Sequence, residues 1–89
     1  MENNSLITWE EYWNLFDRFI SLLEEDNKNS LVFELKDAQK FVNGLTDGWF
    51  EFKFAFEKIM NINKQNMTKE QIDIANSLLN LLNNYLKNR

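Results

Sequence analysis

The chain has 89 residues and a formal net charge of −4, with no histidine, cysteine or proline. That length makes one domain, residues 1–89, with a single modest core. The absence of cysteine excludes disulfides and thiolate sites, and the absence of histidine leaves zinc only carboxylates and removes the commonest general base, so no cofactor, metal or catalytic residue is expected.

The charge is uneven. Residues 1–26 hold seven acids and one base, giving −6, whereas residues 27–89 hold seven acids and nine bases, giving +2. The acidity therefore belongs to the first helix. Met1-Glu2-Asn3-Asn4-Ser5 lacks the basic start of a secretory signal, and no apolar stretch approaches membrane-spanning length, so a cytoplasmic location is expected. Fourteen asparagines against three alanines suit the codon usage of an AT-rich bacterial or phage genome.

The first helix is announced by Thr8-Trp9-Glu10-Glu11, a capping box in which hydroxyl and carboxylate satisfy backbone donors reciprocally. Trp9, Tyr12, Trp13, Leu15, Phe16, Phe19, Ile20, Leu22 and Leu23 then cover half the helical circumference, an arc wide enough to touch two neighbouring helices. Turn formers over residues 26–30 end it. Leu31, Leu35, Ala38, Val42 and Leu45 recur at helical spacing and predict a second helix ending at Gly44, a natural left-handed C-terminal position. Val32 and Phe33 lie off that stripe, which leaves an extended lead-in over residues 30–33 as the alternative.

Thr46 or Asp47 caps a third helix that carries the densest aromatic stretch, Trp49-Phe50-Glu51-Phe52-Lys53-Phe54-Ala55-Phe56. As a strand, Phe50, Phe52, Phe54 and Phe56 would line one face. As a helix, Trp49, Phe52, Ala55, Phe56, Ile59, Met60 and Ile62 share one face, and this pattern outlasts the alternation, so a helix to about Asn61 is preferred. Phe50 and Phe54 then fall off the core face, stacked one turn apart. After a polar connection at 61–67, a second capping box, Thr68-Lys69-Glu70-Gln71, opens a last helix. In that helix Ile72, Ala75, Leu79, Leu82 and Leu86 form one apolar row, with Ile74, Leu78, Leu81 and Tyr85 beside it. Four amphipathic helices with short connections predict an all-α, antiparallel four-helix bundle.

Two surface features carry the functional reading. Glu10, Asp17 and Glu24 recur every seven residues as an acidic row, and Glu25 and Asp26 extend its end. Two turns, about 10 Å, is too long for two carboxylates to share a metal. The row is either a solvated face or a docking site for a basic protein surface. Phe50 and Phe54 are either packed in the bundle or an exposed aromatic anchor of the kind that forms interface hot spots. Joined into one surface, the acids would steer a partner and the rings would hold it. Direct nucleic-acid and membrane binding are disfavoured, because there is no basic stripe and the net charge repels phosphate.

In size, acidity and helical make-up the chain resembles the small bacterial immunity proteins that neutralise bacteriocins or contact-dependent toxins, a resemblance of overall character. It implies a stoichiometric, non-enzymatic inhibitor of a cognate toxin, with acidic and aromatic side chains at the interface. The alternatives are a phage-type inhibitor or nucleic-acid mimic acting on a host enzyme, and a bundle whose surplus aromatics serve homodimerisation.

Overall fold

The computed structural model describes residues 8–42 and 46–87, with only the backbone of Thr46. Four α-helices follow one another: α1 (Trp9–Glu25), α2 (Asn29–Gln39), α3 (Thr46–Asn63) and α4 (Lys69–Lys87), with a 3-10 turn at Lys64–Asn66 between the last two. No strand occurs among the described residues, so the aromatic stretch is helical throughout.

Both capping boxes form. The Glu11 N–H donates to Thr8 Oγ1 at 3.0 Å while the Thr8 N–H donates to Glu11 Oε1 at 2.9 Å. At α4 the Gln71 N–H donates to Thr68 Oγ1 and the Thr68 N–H to Gln71 Oε1, both at 3.1 Å. Each box supplies partners for helix-end amides that the helix itself leaves unsatisfied. At the other end of α1, Asn27 adopts a left-handed φ of 59°. Its N–H donates to the Glu24 carbonyl at 3.0 Å and that of Lys28 to the Leu23 carbonyl at 2.9 Å, closing the helix as a Schellman motif. Asparagine is the non-glycine residue that best tolerates this conformation.

Helix α2 departs from expectation at both ends. It starts at Asn29, so residues 30–33 are helical and not an extended lead-in, and Val32 is buried with Leu31, Leu35 and Ala38. Its α-helical part stops at Gln39. The Phe41 and Val42 N–H groups then donate to the carbonyls three residues back, Ala38 and Gln39, each at 3.0 Å. These tighter turns keep Val42 against the core after the α-helix has ended, which is why the apolar stripe overruns it. The expected cap at Gly44, Leu45 and the Thr46 side-chain cap lie outside the described residues. Helix α3 runs two residues past Asn61, and Ile62, expected on its core face, is exposed.

Helix α1 packs against α2 and α4, and α3 packs against the same two. The helices therefore form a square with up-down-up-down direction, α1 and α3 standing on its diagonal. They meet across the centre through rings. Trp9 stacks on Trp49 with centroids 4.1 Å apart, and Trp13 on Trp49 at 5.5 Å. Phe16 meets Phe52 at 5.8 Å and Phe56 at 6.3 Å, and Phe19 stacks on Phe56 at 6.0 Å. Tyr85 of α4 closes the network edge-on to Trp9 at 4.5 Å. Tyr12 sits inside it and donates its phenol to the Leu78 carbonyl of α4 at 3.3 Å. Burial raises the pKa of that phenol far above its ordinary value.

Phe52 and Phe56 are fully buried, whereas Phe54 is 59% exposed. Removing a buried ring deletes transfer energy and leaves a cavity, so Phe52→Ala and Phe56→Ala are each expected to cost about 3–5 kcal/mol. Phe54→Ala should stay within about 0.5 kcal/mol of the parent, as surface substitutions do. Urea titrations followed by circular dichroism check the contrast, and equal losses at Phe52 and Phe54 would refute this phase for α3.

Candidate functional site

Helix α1 holds its two faces apart by simple periodicity. Phe16 points to the bundle centre, and Asp17 lies one position on, about 100° around the axis. Glu10 and Glu24, seven residues either side, share its direction. Glu10, Asp17, Glu24 and Glu25 are all exposed. Among the described residues none of these four side chains makes a hydrogen bond or ion pair. No group of three or more acidic residues converges as a cation site among the described residues.

Asp26, at the end of the row, behaves differently. Its Oδ2 pairs with Lys28 Nζ and accepts from Gln71 Nε2 at 3.2 Å. Gln71 is the buried polar residue of the core, 4% exposed, and its amide serves two purposes. The oxygen completes the α4 capping box and the nitrogen ties α4 to the end of α1. Sequence reading found the box and missed the tether, because nothing in a capping pattern says where the spare amide nitrogen will point. The three acids at the C-terminus of α1 oppose its dipole with no basic residue in the last turn. Lys28 offsets that charge at Asp26 only.

Phe50 and Phe54 meet one turn apart as expected, tilted by 32° with centroids 6.5 Å apart. Phe50 is half-buried at the rim of a groove between α3 and α4, beside Lys53, Leu86 and Lys87. Phe54 stands in solvent. Lys53 places its Nζ 5.0 Å from the Phe54 ring and 3.7 Å from Glu57 Oε2.

The acidic row and the ring pair do not share a face. Phe52 meets α1, and Phe54, two positions on, is turned about 200° from it. The rings therefore look away from the diagonal helix that bears the acids, and the single joined surface expected from sequence does not form. Three other apolar side chains emerge that were assigned no surface role. Phe33 is 73% exposed, Phe41 42% and Ile62 60%. Phe33 alone gave a signal in the sequence, by lying off the α2 stripe.

The hydrogen bonds from Lys28 and Gln71, with the Lys28 charge, hold the Asp26 carboxyl below its ordinary pKa. A depressed folded-state value means that the associated stability is complete above the unfolded pKa, near 4, and is lost as pH falls through the folded one. Asp26→Asn should therefore flatten the decline in stability below about pH 4. Melting curves from pH 2 to 7 measure this, and parallel acid limbs for variant and parent would show that the tether carries no linkage.

Compared with models of protein families, with curated proteins and with solved structures, the chain matches none.

Proposed function

We propose that the chain is a non-enzymatic protein-binding module, an immunity-type inhibitor that neutralises a cognate bacterial toxin. In this reading the acidic row of α1 docks on a basic surface of the toxin domain. The observation that carries it is the row itself: Glu10, Asp17, Glu24 and Glu25 are exposed on one helix whose single base is Arg18, and none of the four is ion-paired among the described residues. Fixed charge of one sign on a rigid helix raises the association rate with an oppositely charged surface. The same carboxylates repel phosphate, which favours a protein partner over nucleic acid or an anionic membrane. No described helix is long and apolar enough to cross a membrane, and a cytoplasmic site of action goes with this reading.

Support for a non-catalytic role comes from the interior. Large rings fill it, and Tyr12, the buried titratable group among them, donates its proton to a helix carbonyl. A catalytic group needs access to a substrate as well as a tuned pKa. Inhibition of a host enzyme by a nucleic-acid mimic would use the same face, and differs only in the target.

The test is co-expression with the product of the adjacent gene. Growth should be restored by the parent chain and not by the Asp17→Lys, Glu24→Lys double variant at equal protein level. With the purified pair, charge reversal should slow association by about tenfold or more at low salt and flatten its salt dependence. Unchanged association at low salt would make the row a solvated face, and absence of any complex would remove the toxin reading.

A further inference from the structure

We propose that the α2–α3 side of the bundle is a self-association surface, on which a second copy of this chain docks about a two-fold axis parallel to the helices. Of the five large apolar side chains most exposed among the described residues, four lie on α2, on α3 or on the turn after α2: Phe33, Phe41, Phe54 and Ile62. The fifth, Tyr85, belongs to the aromatic network. Between α2 and α3 runs a groove of about 240 Å³, with Glu34 and Asp37 on the α2 bank, Lys58 on the α3 bank, and Phe41 and Ile62 at its rims. Contiguous exposed apolar surface with a polar border is the mark of an interaction site.

Self-complementarity selects the occupant. An isologous interface requires that a surface fit itself after a two-fold rotation. Because α2 and α3 are antiparallel, the groove sets Phe41 level with Ala55, Asp37 with Lys58 and Glu34 with Ile62. Rotation about an axis along the groove keeps each level and exchanges the banks. Phe41 then faces Ala55 of the other copy, Glu34 lies against Ile62, and Glu34 and Asp37 flank Lys58.

The charges suit this arrangement. Neither Glu34 nor Lys58 has an ion pair among the described residues, and Asp37 has only the exposed Lys40, 3.6 Å away. Glu34, Lys36, Asp37 and Lys40 sum to zero and the charges of α3, Asp47, Glu51, Lys53, Glu57 and Lys58, to −1, so most of the net acidity of the chain lies away from this side. A bundle of 36 × 28 × 21 Å has long sides of at most roughly 750–1,000 Å² in projection, the size class of the about 800 Å² per partner in a standard interface.

Sedimentation equilibrium on the purified chain, from about 1 µM to 1 mM, should show a monomer–dimer equilibrium. Lys58→Glu should raise the dissociation constant at least about tenfold, since it sets like charges against each other, and adding Glu34→Lys and Asp37→Lys in the same chain should restore it to within about threefold. Phe41→Ala and Ile62→Ala should weaken the dimer comparably, with helicity unchanged by circular dichroism. A monomer at the highest concentration overturns the proposal, as does a dimer indifferent to Lys58→Glu and Phe41→Ala. The dimer forms from the chain alone, so its failure leaves the acidic-face docking untouched, and the reverse also holds.

Discussion

The bundle depends on the diagonal contact between α1 and α3. In a square of four helices the diagonal pair is too far apart for backbones to approach, and the space between must be filled by side chains. Here Phe16, Phe19, Phe52 and Phe56 fill it, all fully buried. Above them the Trp9–Trp49–Trp13 stack closes one end, with Trp9 and Trp49 centroids 4.1 Å apart. Small domains have little core to spend, and rings bury about 150–250 Å² each, which makes this an efficient filling for 89 residues. Edge-to-face pairs such as Trp13–Phe16, at 90°, add directional preference to the burial. The aromatic richness of the stretch from Trp49 to Phe56 is thus mainly a packing requirement.

That filling constrains everything outside it. With Phe52 and Phe56 directed at α1, Phe50 and Phe54 must turn outward on α3, because residues two apart on a helix face nearly opposite ways. Similarly, α1 is held by rings on one face, and its acids are left on the other. Polar contacts then join α1 to α4 at two levels: Tyr12 donates to the Leu78 carbonyl, and where α1 ends Gln71 joins the start of α4 to Asp26. Its amide bonds in two directions while buried, which avoids the cost of leaving either end unsatisfied.

How much of this was legible in the sequence varies by helix, for physical reasons. Helices α1 and α4 were readable to within a residue or two because each has a capping box and packs with one broad apolar face. Helix α2 was harder. It packs between α1 and α3, so Val32 is buried off the Leu31–Leu35–Ala38 stripe, and the 3-10-like turns at Phe41 and Val42 prolong the apolar pattern past the helix end. On α3 the period was right, but Ile62 points towards α2 at a level where the groove stays open. Exposure there depends on the neighbour's length, which no local pattern encodes. The acidic row was visible as a sequence period. Its separation from Phe50 and Phe54 was not, since that follows from which helices stand on the diagonal.

The same diagonal makes the two interaction surfaces compatible. Helix α1 takes no part in the α2–α3 side, so a copy docked there leaves Glu10, Asp17, Glu24 and Glu25 uncovered. Apolar association and charge steering also respond differently to salt: screening weakens the second within a Debye length of about 8–10 Å, while burial of Phe41 and Ile62 is little affected. A dimer would then present two acidic rows, each free to meet a basic surface of its own. If both surfaces operate, the chain joins two partners through one seam, and the near balance of charge on α2 and α3, together −1, allows that seam to form although each copy carries a net −4.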